Sequence, residues 1–178
     1  MSTAPAIVPT LGRSCGSCSL CCKVFPVPPV DDKPAGKWCR HCAPGKGCGI
    51  WDSRPEFCRS YHCHWHFDAS LGPEWRPDVA KFLINNEADG VWLSIIVDPA
   101  KPNAWKREPY HGKLRRLAAT LIAGGKHGLL LIDGNRKFVV LPDREVLIGH
   151  RDAKAHVKVS PVAGAGGVRY DVHIDRAA

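Results

Sequence analysis

The sequence has no apolar run near the ~18 residues that a membrane-crossing helix needs. Its opening, MSTAPAIVPTLGRSC, lacks a charged stretch followed by an apolar one, so no signal peptide is expected. Also missing are a Gly-rich phosphate loop, a G-x-S-x-G elbow, an H-E-x-x-H metalloprotease motif and a dinucleotide fingerprint. No internal repeat or low-complexity tract is visible. These absences leave the expectation of a cytoplasmic, soluble, non-membrane protein with no recognisable catalytic constellation. No cysteine follows Cys63, although nine lie in the stretch from Cys15 to Cys63.

That distribution constrains the chemistry more than any other feature of the chain. A secreted disulfide scaffold has an even count spread over its fold, together with a secretion signal. An odd count in tight spacing, in a chain expected in a reducing compartment, points to metal ligation instead. The remaining composition, 44% hydrophobic and 24% charged, is that of a globular chain.

The formal charge of +8 divides evenly, +4 in residues 1–66 and +4 in 67–178. Metal-bound cysteines are thiolates. Eight of them around two divalent ions add about −4 and bring the first segment to neutrality. The basic balance is then mild and dispersed, and does not by itself argue for nucleic acid.

Three segments are expected. Residues 1–14 are polar and frayed. Residues 15–66 are rich in Cys, Gly and Pro with little hydrophobic periodicity, so they bury too little apolar surface to offset their ordering entropy. Metal cross-links supply the difference in such modules. Residues 67–178 read as a small α+β region. Val91–Val97 is an apolar strand stopped by Asp98-Pro99. Leu114, Leu117, Ala118, Leu121 and Ile122 form one helix stripe, with Gly124-Gly125 as its stop. Leu129–Ile132 and Phe138–Leu141 make a hairpin around Asp133-Gly134-Asn135, and Val157–Val159 with Val168–Val172 make another across Gly164–Gly167. The predicted fold is α+β: an irregular, metal-stabilised cysteine module followed by a small antiparallel sheet with one amphipathic helix.

The chemistry-bearing run is Cys15-x-x-Cys18-x-x-Cys21-Cys22. A C-x-x-C turn lets two sulfurs reach one ion, and Gly16 lets backbone amides approach them. Adjacent Cys21 and Cys22 tend to point apart, so the run implies two nearby metals or a polynuclear cluster. Cys39-x-x-Cys42, Cys48, Cys58 and Cys63 follow.

Cys15-Gly-Ser-Cys18-Ser-Leu-Cys21-Cys22, followed by Cys48-Gly-Ile-Trp51-Asp-Ser-Arg54-Pro55-Glu-Phe-Cys58-Arg59-Ser-Tyr61, resembles the CxxCxxCC, or YkgJ-like, cysteine-cluster family. The second block of that family typically runs C-x-I-Y-x-x-R-P-x-x-C-R-x-F; Trp51 stands for its Tyr and Tyr61 for its Phe. The likeness covers roughly residues 15–65. It implies zinc or iron chelation, and implies nothing for residues 67–178.

The expected ligands are Cys15, Cys18, Cys21, Cys22, Cys39, Cys42, Cys48 and Cys58, with Cys63 surplus to two Cys₄ sites. Eight cysteines match two tetrahedral Zn²⁺ sites. The C-x-x-C-x-x-C spacing also resembles ferredoxin-type iron–sulfur ligation, although Cys22 follows at once where a ferredoxin run continues to a fourth cysteine and a proline. Another thiophilic metal such as Cu(I) is the third option.

His62, His64 and His66 alternate, and in an extended segment they share one face opposite Cys63. That face reads as solvated polar surface, with one histidine available to complete a Cys₃His site; His41 reads as a bystander. Arg54-Pro55 reads as loop fixation, with Pro55 opening a short helix that carries Cys58 and Arg54 donating to turn carbonyls or thiolates. Asp31-Asp32 reads as a solvated turn.

Three functions are compatible with these features. The first is a metal-binding protein without catalysis of its own, binding metal ions as a structural site, chaperone or store. A redox iron–sulfur protein serving a partner enzyme is the second. The third is a zinc-ribbon-like nucleic-acid module with Lys113, Arg115, Arg116, Arg136 and Lys137 as its basic face, which only the charge supports.

Overall fold

The computed structural model describes residues 11–87, 89–151, 155–164 and 167–176. The chain divides into two compact units, one running through Ile84 and including Asp98–Lys101, the other made of Asn85–Val97 with the chain from Pro102 onward. The division falls inside a strand, eighteen residues beyond the end of the cysteine-rich composition at His66. Of the N-terminal segment expected to fray, residues 1–10 lie outside the described residues.

Regular structure in the first unit is sparse, as the frequent prolines and glycines require. Helices α1 (Cys21–Val24), α2 (Glu56–Arg59) and α3 (Pro77–Ala80) are single turns, and β1 (Cys42–Ala43) and β2 (Gly47–Cys48) are two-residue strands. Pro55 caps α2 and Pro77 opens α3, positions where a missing N–H costs nothing. Leu20, Val24, Leu71, Trp75, Ala80 and Phe82 are buried here, with Trp75 and Phe82 edge to face at 5.9 Å. Asp31 and Asp32 adopt left-handed backbone at the surface, in the expected turn, where Arg40 pairs with Asp31.

Strand β3 (Phe82–Asn86) carries the chain out of this unit. Then come β4 (Trp92–Val97), α4 (Tyr110–Ala123), β5 (Gly128–Asp133), β6 (Arg136–Val140), β7 (Glu145–His150), β8 (Ala155–Gly164) and β9 (Gly167–Arg176). Strands β3 to β7 form one five-stranded sheet in sequence order, and β8 and β9 pair in a separate two-stranded sheet. All six residues of β4 are buried, which accounts for a run that is apolar except at Ser94.

The mixed α+β class is as expected, and one detail corrects the antiparallel sheet. β4 and β5 are parallel, with Trp92 opposite Gly128 and Ile96 opposite Ile132. A parallel pair needs a long crossover, and the segment between them contains α4. Leu114 and Ala118 are fully buried along the predicted stripe. The helix ends in paired bonds from Lys126 N to Leu121 O (2.9 Å) and Gly125 N to Ile122 O (3.0 Å), with Gly125 at φ +80°.

The first hairpin pairs Leu129 with Val140 and turns at Gly134-Asn135. The second runs longer than expected, ten residues per strand, with Val159 opposite Val172. The centre of its Gly-rich turn, residues 165 and 166, lies outside the described residues. Trp92, Val139, Leu141, Ile148 and Val159 form one buried cluster, so the long hairpin packs on the sheet.

Candidate metal centre

All nine cysteines are free thiols and all lie in the first unit. Cys39 and Cys63 are buried and the other seven half-buried. Among the described residues, no three His, Cys, Asp or Glu side chains already stand together as a group that could hold a metal ion. What the fold does bring together falls into two sets.

The first set is built on two tight turns. In one, Cys18 N donates to Cys15 O at 2.8 Å, with Gly16 at φ +52°. In the other, Cys63 leads into a 3₁₀ turn over His64–His66, and His66 N donates to Cys63 O at 3.0 Å. Side chains three residues apart align in such a turn. The structure therefore replaces the extended histidine face with a turn that sets Cys63 and His66 on one side. His64 leaves that face and pairs with Asp68 at 3.5 Å.

His66 is buried, and its Nε2 stands 3.5 Å from Cys15 Sγ. Its Nδ1 lies 3.1 Å from Arg13 O, an acceptor only, so Nδ1 carries the proton and Nε2 presents its lone pair to the sulfur. Burial, then the neighbouring His62, holds the imidazole below its ordinary pKa and so favours the neutral ring. Arg13 is itself fixed: it donates to Asp68 O at 3.1 Å and to Trp65 O, and stacks 4.6 Å from the Trp65 ring centroid.

Burial pushes the Cys18 thiol up to about 11 and the Cys63 thiol up to about 12. Opposing these shifts, the Leu20 amide faces the Cys18 sulfur and the Trp65 amide faces the Cys63 sulfur. Each of those amides lies two residues beyond its cysteine. Cys63 also feels Cys18 and Cys15 as nearby charges. The buried Tyr61 hydroxyl has no hydrogen-bond partner among the described residues, and burial, then the influence of Cys63, Cys21, Cys15 and Cys18, holds it well above its ordinary pKa.

The second set surrounds a small apolar cluster. Val27, Val30 and Cys39 are its buried members, and Cys22, Cys42 and Cys58 pack against them. Cys39 N donates to Cys22 O at 3.0 Å, and Cys42 N to Cys39 O at 3.0 Å in the second C-x-x-C turn. Cys42 and Cys48 are cross-strand partners in the β1–β2 hairpin. Gly47, at φ +109°, lets that hairpin approach the first turn: a Cβ there would come within 3.1 Å of Gly16 O.

Burial raises the Cys42 thiol to about 11 and also raises Cys58. Cys22 is pushed well above the ordinary thiol range by its hydrogen bond with Cys21, then by burial. Lys33 acts in the opposite sense on Cys22. Its buried ammonium is held by the carbonyls of Lys23 (3.3 Å), Phe25 and Pro34 (2.9 Å).

Of the eight expected ligands, Cys15 and Cys18 thus lie in the first set, and Cys22, Cys39, Cys42, Cys48 and Cys58 in the second. Cys21 borders both, as a neighbour of Tyr61 and of Cys22. Cys63, read as surplus, stands with Cys15 and Cys18. The two turns share a spacing: Cys63-x-x-His66 repeats the interval of Cys15-x-x-Cys18. Arg54 donates to Trp51 O at 2.8 Å and stacks 3.4 Å from that ring centroid, fixing the loop as expected.

Compared with protein-family models, curated proteins and solved structures, the chain matches none. The likeness to the CxxCxxCC family therefore rests on the two cysteine blocks themselves.

Proposed function

We propose that this chain is a metal-binding protein that chelates zinc or an iron–sulfur cluster through the cysteines of its first unit, without catalysis of its own. The observation that carries the reading is the gathering of nine free thiols into two sets within one sparsely structured unit. Two features fit a thiolate–metal centre. The Tyr61 hydroxyl is a buried donor with no hydrogen-bond partner among the described residues, two residues before Cys63. Lys33, buried beside Cys22, is a fixed positive charge that offsets thiolate charge.

Metal also answers the energetic problem of the segment. Thiols raised by burial are expensive to ionise without a counter-charge, and a divalent ion supplies it while cross-linking turns that have little core of their own. The nucleic-acid reading gains nothing: Arg115 is paired with Glu145 at 2.8 Å, and Arg136 with Asp133 at 3.6 Å.

The test is elemental analysis with an absorption spectrum on chain purified without oxygen. Colourless protein with about two zinc per chain supports chelation by zinc. Brown protein with iron and acid-labile sulfide supports the cluster and a redox partner. Metal-free protein that takes up neither overturns the proposal.

A further inference from the structure

We infer that Cys15, Cys18, Cys63 and His66 form one Cys₃His metal site, separate from a second, all-cysteine group around Cys22, Cys39, Cys42, Cys48 and Cys58. This rests on the metal-binding reading above and names its ligands.

Two turns of the same length carry the four donors, of which only Cys15 and His66 stand in contact; the four are not drawn together as a metal-holding group in this structure. Cys15 and Cys18 stand three apart on a C-x-x-C turn, and Cys63 and His66 three apart on a 3₁₀ turn, each closed by a backbone bond from the second residue to the first. The turns meet through Cys15 Sγ and His66 Nε2 at 3.5 Å. Arms of ~2.3 Å to sulfur and ~2.0 Å to nitrogen at the tetrahedral angle put such a pair of ligands about 3.5 Å apart. The meeting pair thus already has the edge length of a zinc tetrahedron.

The imidazole is prepared as a ligand. A metal-binding histidine donates its other ring N–H to a carbonyl or carboxylate, which fixes the tautomer and aims the free nitrogen. Arg13 O plays that part for His66. Arg13 is in turn held through its guanidinium by the carbonyls of Trp65 and Asp68, on the segment that carries His66.

His64 does not compete, because it is paired with Asp68. His62 packs edge-on against His66 with ring centroids 5.4 Å apart, and its buried Nδ1 has no hydrogen-bond partner among the described residues. Cys21 and Cys22, expected to point apart, instead share a side-chain hydrogen bond, and this adjacent pair lies where the two sets meet.

The experiment compares zinc-loaded wild type with His66→Ala, Cys63→Ser, Cys42→Ser and His66→Cys. Zinc is counted per chain, and the sulfur-to-nitrogen ratio around zinc is read by X-ray absorption. Wild type is expected to show nitrogen as about one ligand in eight, from one Cys₃His and one Cys₄ site. His66→Ala and Cys63→Ser should each halve the zinc content. His66→Cys should restore the full count with the nitrogen signal gone. Cys42→Ser should keep the nitrogen signal, as about one ligand in eight where the fifth cysteine of the second group takes its place and about one in four where that zinc is lost.

Full zinc and an unchanged nitrogen signal in both His66→Ala and Cys63→Ser overturn this site while leaving the metal-binding reading intact. Failure of wild type to hold zinc or any other metal overturns both. Should the alanine variant not fold, the wild-type spectrum still decides: sulfur-only coordination overturns the assignment.

Discussion

Lys23 Nζ lies 2.6 Å from Asp98 Oδ1, with the two side chains only 10% and 11% exposed. Lys23 directly follows the CxxCxxCC run, and Asp98 ends the buried strand β4, 75 residues later. Asp98 Oδ1 also accepts the Ala100 amide at 2.9 Å, and the ammonium stands 5.2 Å from the Trp38 ring centroid. A contact invisible to local pattern thus ties the cysteine run to the returning segment Asp98–Lys101 of its own unit.

Removing one member strands the other charge in a dry setting. Lys23→Met or Asp98→Ala should cost about 3–5 kcal/mol, whereas replacing both with apolar residues should cost far less. Urea unfolding of the metal-loaded chain measures it. Single-variant losses under about 1 kcal/mol would show that the pair is solvated in solution.

In the second unit, Asp133 Oδ2 accepts the Asn103 amide at 3.0 Å and the Trp105 indole N–H at 3.2 Å. Asp133 is 2% exposed and Trp105 1%. Asp133→Ala leaves the buried Trp105 indole and the part-buried Asn103 amide unpaired and should cost about 2–4 kcal/mol, while Asp133→Asn keeps an acceptor and should cost less. The order of the two variants in thermal denaturation is the check; an alanine variant as stable as the asparagine one contradicts it.

Glu145 carries a pH signature. Burial tends to raise its pKa, but hydrogen bonds from His111 (2.9 Å) and Arg115 (2.9 and 2.8 Å) outweigh it and hold the carboxyl below its ordinary value of 4.5. A depressed folded-state pKa stabilises the fold above the unfolded value, and that stability is lost as pH falls through the folded one. Glu145→Gln should therefore cost about 1 kcal/mol near neutral pH, a figure discounted for partial exposure. The deficit should close below pH 4.5. Stability curves of the two proteins from about pH 3 to 7 test this, and a gap that persists at the acid end refutes it.

Chelation should act on one unit only. The first unit has single-turn helices and two-residue strands, while the second has a core of Leu129, Leu131, Val139 and Val140, all fully buried. Metal removal is expected to open residues 15–66 to protease and leave a resistant fragment containing β4 to β9. Equal digestion of both halves, read by mass spectrometry, would contradict it.

The parts of the fold that could be read from sequence are those that local pattern controls. Strand β4, the α4 stripe with its Gly124-Gly125 stop, and the Gly134-Asn135 hairpin each follow from the spacing of apolar residues and the chemistry of one turn. The parallel pairing of β4 with β5 did not, because Leu129–Ile132 reads the same whichever way its neighbour runs. The turn at His66 was not legible because alternation across His62, His64 and His66 resembles a strand, whereas the i+3 bond to Cys63 O decides the local geometry. The bond of His66 to Arg13, 53 residues away, has no trace in local sequence.

The two cysteine sets differ in the span of chain they must close, and span sets the entropy of closure. Cys42 and Cys48 face each other across a six-residue separation, while Cys15 and His66 are 51 apart. Three doublings of loop length add about 2 kcal/mol of closure entropy. By closure entropy the β1–β2 hairpin is the cheaper of the two to order, and the Cys15–His66 contact the one that leans most on a cross-link to hold its ends together.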